Sequence, residues 1–493
     1  LDSLGAVELR NRLAARLGEE VEVPETLIFD LPTLRQIETH VVTQVNPPAE
    51  PPVCPAAALM QRAQPLFQGC GSVPLASAVA LTGASCRLPS WTVSLLVLRH
   101  AAATAHNMVA TVPAMRWDAT DRPAGLDTSV VDRTRHGAFI LAAEAFDNGR
   151  FAISPAEAGA MDPQQRVLLE GAYAALQASG MDKATLNGSV TGVALGIYAT
   201  EFAQLLAQRP LGCSVYASAN SLAIASGRVS FALGLHGPCA SFETACSASL
   251  VAAHSAARAL QHAECSSHLA AGVNLMLLQA SSIGMAIAGM TSVAGRCHTF
   301  DVRADGFCRG EGCSAVVIRV CDLLGLMTLR GSAVRQDGRS ASLTAPSGQA
   351  QQGLLRAGLQ DAALEARAVS AYEAHGTGTA LGDPIEAGSL GAVWQTQQSP
   401  GSALACGGIK ANLGHGESTA GMSGLLRLAL GVASGEAPPN AQLRVLNPHV
   451  HRPMRGCGCA HESNTVRGVA CALPAQLASR RVGSGGVSSF GYS

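Results

Sequence analysis

The sequence predicts an α/β protein whose sheets are buried on both faces. Short apolar runs of strand length, Thr191–Tyr198 and Ser314–Val320 among them, alternate with longer helical stripes along most of the chain. Hydrophobic residues make up 48% of the chain and charged residues only 14%, a balance that suits a large, heavily buried enzyme better than a coiled coil or a disordered chain. At 493 residues the length fits about three ordinary domains, or one large duplicated domain with additions.

The chain opens, without an initiator methionine, inside a small helical piece, Leu1–Val45. Leu9, Leu13 and Leu17 lie four apart on one helix face, and Gly18 stops that helix. Thr33-Leu-Arg-Gln36 reads as a capping box, with Leu34, Ile37 and Val41 striped behind it. Asp2-Ser3-Leu4 sets Ser3 at a helix start, where free N–H groups favour a phosphodiester. Residues 46–73 read as a spacer, because Pro47, Pro48, Pro51, Pro52 and Pro55 favour an extended backbone.

A large domain is expected from residue 74 to 493, with a first strand over Leu75–Ser85. Asp162–Gly180 predicts a helix that buries Val167, Leu168, Leu169, Tyr173 and Leu176. Trp91–Met115 fits neither period. Leu269 to Gly295 carries no charge and is long enough to span a bilayer, yet Asn274, Gln279, Ser281, Ser282, Thr291 and Ser292 interrupt it. It reads as a buried strand, Leu269–Leu278, and a buried helix. Further strands are expected over Met327–Arg335, Val369–Ala374 and Leu404–Ile409. Helices are expected near Gln351–Ala363 and, after a Gly-rich turn, through Leu430.

Formal net charge is −1, so no basic nucleic-acid footprint exists. The 15 cysteines are odd in number, form no CxxC pair, and carry no recognisable signal peptide ahead of them. A reduced, cytoplasmic setting without structural metal is the expectation.

Three motifs carry chemistry. In Gly237-Pro-Cys-Ala-Ser-Phe-Glu-Thr-Ala-Cys246-Ser-Ala-Ser-Leu a turn leads into a small-residue helix that starts near Cys246. Free N–H groups and the helix dipole at that position favour a thiolate. Glu373-Ala-His375-Gly-Thr377-Gly-Thr379 places an imidazole and hydroxyls on a Gly-rich loop after a buried strand. Lys410-Ala-Asn-Leu-Gly-His415 adds a lysine and a second histidine across a Gly turn. A single cysteine or histidine is more often structural. Together, these four side chains meet the needs of acyl transfer: a sulfur nucleophile, donors for an oxyanion, and groups that polarise a carbonyl.

Glu243-Thr-Ala-Cys-Ser-Ala-Ser-Leu250, the His375 motif and the Lys410–His415 motif resemble, in order, the active-site motifs of β-ketoacyl synthases. Met161-Asp-Pro-Gln-Gln-Arg166, Ala304-Asp-Gly-Phe-Cys-Arg-Gly-Glu-Gly312 and Gly486-Val-Ser-Ser-Phe-Gly491 resemble signatures of the type I modular polyketide synthase branch. The opening segment is similar to the later part of an acyl carrier domain. The resemblance implies a thiolase-type fold of two similar halves in five αβαβα layers, residues 74–325 and 326–493, short of its expected C-terminal tail. It implies a homodimer and decarboxylative condensation of an acyl chain on Cys246 with a malonyl unit on a carrier. His375 and His415 would assist decarboxylation, with Lys410 tuning and holding His415. Thr377 and Thr379 would contact the pantetheine arm. The backbone N–H groups of Cys246 and Tyr492 would form the oxyanion hole. The cofactor would be 4'-phosphopantetheine, attached at Ser3, and the partners acyl carrier domains with acyl and malonyl thioesters. Glu243 and Ala248 depart from the family's usual Asp and Ser. A non-elongating acyl-transfer scaffold and a thiolase-like acyltransferase are the competing readings.

Overall fold

The computed structural model describes residues 12–13, 15–17, 27, 34–45, 79–198, 201–207, 221–320, 327–342, 344–394, 404–454 and 484–490. Ser3, Leu9, Thr33, residues 46–73 and Tyr492 lie outside the described residues. In chain order the main elements are α1 (Leu34–Val45), in the opening helical piece, and then β1 (Val79–Arg87), α2 (Leu95–Ala103), α3 (Pro163–Ala178), β2 (Thr191–Ile197), α4 (Leu222–Leu233), β3 (Cys239–Phe242), α5 (Ala248–Gln261), β4 (Ser267–Asn274), α6 (Gln279–Ile287), β5 (Gly312–Val320), β6 (Met327–Leu329), α7 (Gly348–Asp361), β7 (Ala371–Glu373), α8 (Gly382–Trp394), β8 (Ala405–Gly407), α9 (Ala420–Ser434) and β9 (Gly485–Val487).

Six strands form one mixed sheet in the order β3-β2-β4-β5-β1-β6. β2 pairs in parallel with β3 and β4, while β5 runs antiparallel to both β4 and β1. Every residue of β2 and β4 is buried, which is why their sequences read as continuous apolar runs without alternation. A second, all-parallel sheet has the order β8-β7-β9.

The strand faces define the layers. Val193, Leu195, Ile197, Leu269, Ala271 and Val273 pack under α3 and α4 on the outside of the first sheet. Ala194 and Ala270 face the other way, onto Ala252, Ala253 and Ala256 of α5 and Met422, Leu425 and Leu426 of α9. The outer face of the second sheet is covered by Leu355 and Leu359 of α7 and by Leu390 and Trp394 of α8. The two buried helices therefore lie between two sheets, giving the five-layer thiolase-type order. Backbone contact this close needs residues without a Cβ. One added at Gly196 would lie 2.4 Å from Ser249 N, and one at Gly272 2.7 Å from Ser249 Cβ.

Most expected elements appear with ends shifted by a few residues. Asp162 caps α3 by accepting from Gln164 N, and Pro163 takes the first helical position. Two expectations change. The strand expected over Met327–Arg335 stops at Leu329, because Gly331 sits against Ala362 N, within 2.4 Å of where a Cβ would be, and the chain turns there. The aperiodic stretch Trp91–Met115 contains α2 and a two-residue strand, Ala110–Thr111, that pairs antiparallel with His136–Gly137; the remainder is held from outside: Met108 N, for example, donates to Asn412 O at 2.8 Å.

Just past that stretch, Arg116 makes a two-pronged ion pair with Glu311, both contacts at 2.8 Å. Side-chain exposure is 8% for Arg116 and 0% for Glu311, which also accepts from Ile140 N and Met276 N. Glu311→Ala strands a buried guanidinium and two backbone donors. It should destabilise the domain by about 3–5 kcal/mol, read as a lower urea midpoint; an unchanged midpoint would show the pair to be energetically idle.

Candidate active site

β3 ends at Phe242, and the chain turns tightly into α5 through a 3-10 turn, Ala245–Ser247. Ala245 is held at φ +47°, a region that a residue with a Cβ rarely occupies. Ser247 Oγ donates to Thr244 O at 2.8 Å and Ser489 Oγ to Cys246 O at 2.5 Å, fixing the turn from both sides. Cys246 is 7% exposed. Burial pushes its thiol up to about 12, the Glu417 carboxylate adds to this, and the Lys410 ammonium opposes it. The thiolate expected from the helix start is thus outweighed by desolvation, and the resting side chain is a thiol. Its sulfur lies 3.0 Å from His415 Nε2.

His415 follows a short helical turn, Lys410–Leu413, and Gly414 at φ +73°. An added Cβ at Gly414 would lie 3.0 Å from Cys308 O. His415 N donates to Cys308 O at 2.6 Å, and Gly310 N donates back to His415 O at 2.8 Å, so the loop is stitched to the Arg309 segment. Glu417 N donates to His415 Nδ1 at 3.3 Å. With Nδ1 accepting, the neutral ring carries its proton on Nε2. Arg309 anchors this corner: its guanidinium contacts Glu417 at 2.6 and 3.3 Å, Glu201 at 3.4 Å and Ser282 Oγ at 2.8 Å.

His375 leaves the end of β7 on the second sheet. Its N–H donates to Glu386 Oε1 at 2.7 Å and to Ser488 Oγ at 3.2 Å, while Gly376 N donates to Glu386 Oε2 at 2.8 Å. Phe490 N donates to His375 Nδ1 at 3.3 Å, which leaves Nε2 as the protonated nitrogen here too. The two imidazoles meet edge to face with centroids 5.7 Å apart. Burial and the Lys410 charge hold both far below the ordinary imidazole range, so both are neutral. Burial likewise pulls Lys410 down, against the raising effect of Glu373 and Glu386.

Lys410 differs from its expected contact. Its Nζ donates to the His375 carbonyl at 2.6 Å, so it braces the first histidine and reaches the second only through its charge. Thr377 and Thr379 sit on the loop beyond His375, their hydroxyls 3.2 Å apart. Asp383 fixes that loop by accepting from Gly378 N at 3.0 Å and Phe300 N at 2.7 Å; burial raises its carboxyl to about 7.

Residues 169 and 129 positions apart thus converge: one donor atom each from Cys246, His375 and His415 lies within 4.8 Å of the others. Such a triad has metal-ligand spacing, but a divalent ion there would face the Lys410 ammonium. Sequence reasoning missed Glu386, Asp383, Glu417 and Arg309 as supports. Two carboxylates in the otherwise apolar Leu381-Gly-Asp383-Pro-Ile-Glu386-Ala were the available signal.

Residues 76–320 match the N-terminal domain of β-ketoacyl synthases, residues 326–444 their C-terminal domain, and residues 1–41 a phosphopantetheine attachment site. Polyketide synthase GfsB of Streptomyces halstedii is 40% identical over 457 residues, 91% of this chain and 8% of the relative. Erythronolide synthase EryA2 of Saccharopolyspora erythraea is 36% identical over 506 residues, covering 100% of this chain and 13% of its own length. The ketosynthase from module 6 of the bacillaene synthase of Bacillus subtilis 168 superposes with a TM-score of 0.73 at 30% identity, over 84% of this chain and 70% of that one. The chain belongs to the β-ketoacyl synthase family. Within it, this is a ketosynthase domain of the modular polyketide synthase type, joined to a phosphopantetheine attachment segment. That segment implies 4'-phosphopantetheine as cofactor. The chain spans about a tenth of the length of these curated relatives. Among the described residues no helix is long and apolar enough to cross a membrane.

Proposed function

We propose that this chain catalyses decarboxylative Claisen condensation between an acyl group parked on Cys246 and a malonyl-type unit on a carrier arm. The observation that carries this reading is the convergence of one sulfur and two neutral imidazoles, one atom of each lying within 4.8 Å of the others. In loading, Cys246 Sγ attacks the carrier thioester, and the thiol proton leaves on the departing pantetheine thiol. The backbone N–H of Cys246, with that of Tyr492, receives the oxyanion. Bound as the extender's carrier, the phosphopantetheine arm supplies a flexible thioester, and Thr377 and Thr379 hold it. The extender then loses CO2, and the electron pair left behind becomes an enolate whose oxygen accepts from His375 and His415. The enolate carbon attacks the acyl carbonyl, and the C–S bond to Cys246 breaks. One proton taken up restores the thiol.

In this reading, residues 1–45 are the trailing part of a carrier domain with Ser3 as attachment point, 46–73 a spacer and 74–493 the ketosynthase. A homodimer is supported by β3, one of the two edge strands of the six-stranded sheet, whose Cys239 and Ala240 are exposed, and by Phe231, 89% exposed on the neighbouring helix. A reducing, intracellular setting is supported by eight described cysteines, all free.

The test is condensation of an acyl thioester with a malonyl thioester, with product and CO2 formed in equal amounts. An ordinary imidazole is mostly protonated at about pH 6, whereas these two are held neutral below that. CO2 release should therefore stay within about twofold from pH 7.5 down to about 6. A fall that follows protonation near the ordinary imidazole value, or extension without CO2, would count against the scheme.

A further inference from the structure

We infer that Tyr198 selects, among acyl chains loaded on Cys246, those that carry an oxygen close to the thioester. The inference rests on the ketosynthase reading above and concerns substrate choice alone. Along β2 the even positions face the middle layer: Ala194 packs with α5, and Gly196 touches the first turn of α5 through Ala248 and Ser249. Tyr198 is the next even position, one residue past the strand end, so its ring leaves the same face on the side where Cys246 precedes α5. On the adjacent strand the register pairs Gly196 with Gly272, which puts Asn274 beside Tyr198. Asn274 is buried, and its amide donates to Gly310 O at 2.9 Å. Tyr198 is only half-buried, and among the described residues nothing hydrogen-bonds its hydroxyl.

Glu417, Arg309, Cys246 and Glu243 act electrostatically on the phenol, in keeping with that placement. Burial and Glu417 keep its proton on, so it is an O–H donor. A hydrocarbon chain pressed against this hydroxyl strips it of water and returns nothing. A β-hydroxyl or β-carbonyl accepts its hydrogen bond.

The test compares butyryl and 3-hydroxybutyryl N-acetylcysteamine thioesters as acyl donors to the full chain, with the mass gain on the Cys246 peptide followed in time. The native chain should load 3-hydroxybutyryl about tenfold faster. Tyr198→Phe keeps the ring and removes the donor, and should bring the ratio of the two rates close to one. A ratio in Tyr198→Phe equal to that of the native chain overturns the inference, as does a native chain that prefers butyryl. A native chain that accepts neither acyl group at Cys246 overturns the ketosynthase reading and this inference with it.

Discussion

Cys246→Ala is expected to lower acyl loading at this site to background, a loss of at least about a thousandfold, while CO2 release from a malonyl thioester continues. The two outcomes separate because the parts are held independently. Each imidazole is oriented by its own backbone N–H, Glu417 N two residues along the same loop for His415 and Phe490 N on the segment after β9 for His375, and neither contact involves the sulfur. Losing the sulfur frees the His415 Nε2–H to serve the enolate. Background must be read by peptide, because Cys239 is exposed while the other described free cysteines are buried. Mass gain on the peptide that contains position 246 should vanish. Condensation that persists in the variant would remove Cys246 from the mechanism.

The sequence made the middle of this molecule legible and left its supports obscure. β2 and β4 were readable because strands buried on both faces must be apolar throughout, and α3 because Asp162-Pro163 marks a helix start. The end of β6 was not, since the turn there is forced by Gly331 meeting Ala362, a contact between segments distant in sequence. The same distinction holds at the site. Cys246, His375 and His415 announced themselves through the Gly-rich and small-residue motifs that close packing demands. The protonation state of Cys246 did not, because a helix-start argument counts local dipoles and omits the burial supplied by the whole fold. Nor did the partner of Lys410: five residues from His415 in sequence, its ammonium meets the His375 carbonyl across the site.

His375→Ala and His415→Ala should then differ in a way that sequence alone would not suggest. On sequence grounds both histidines serve the malonyl unit, and removing His415 should spare loading. The 3.0 Å contact between His415 Nε2 and Cys246 Sγ changes that expectation. A sulfur whose thiol is pushed up to about 12 by burial depends on a nearby donor to carry negative charge as it attacks. His415→Ala should therefore slow both loading and decarboxylation, each by about a hundredfold or more. His375→Ala leaves the sulfur's contact in place and removes one of two enolate donors. Decarboxylation should fall about a hundredfold to a thousandfold, with loading reduced far less. Single-turnover loading by intact mass and CO2 release, measured on the same preparations, gives both numbers. Equal loss of loading in the two variants would mean that the imidazoles act as one unit, and that the His415–Cys246 contact has no separate part in activating the sulfur.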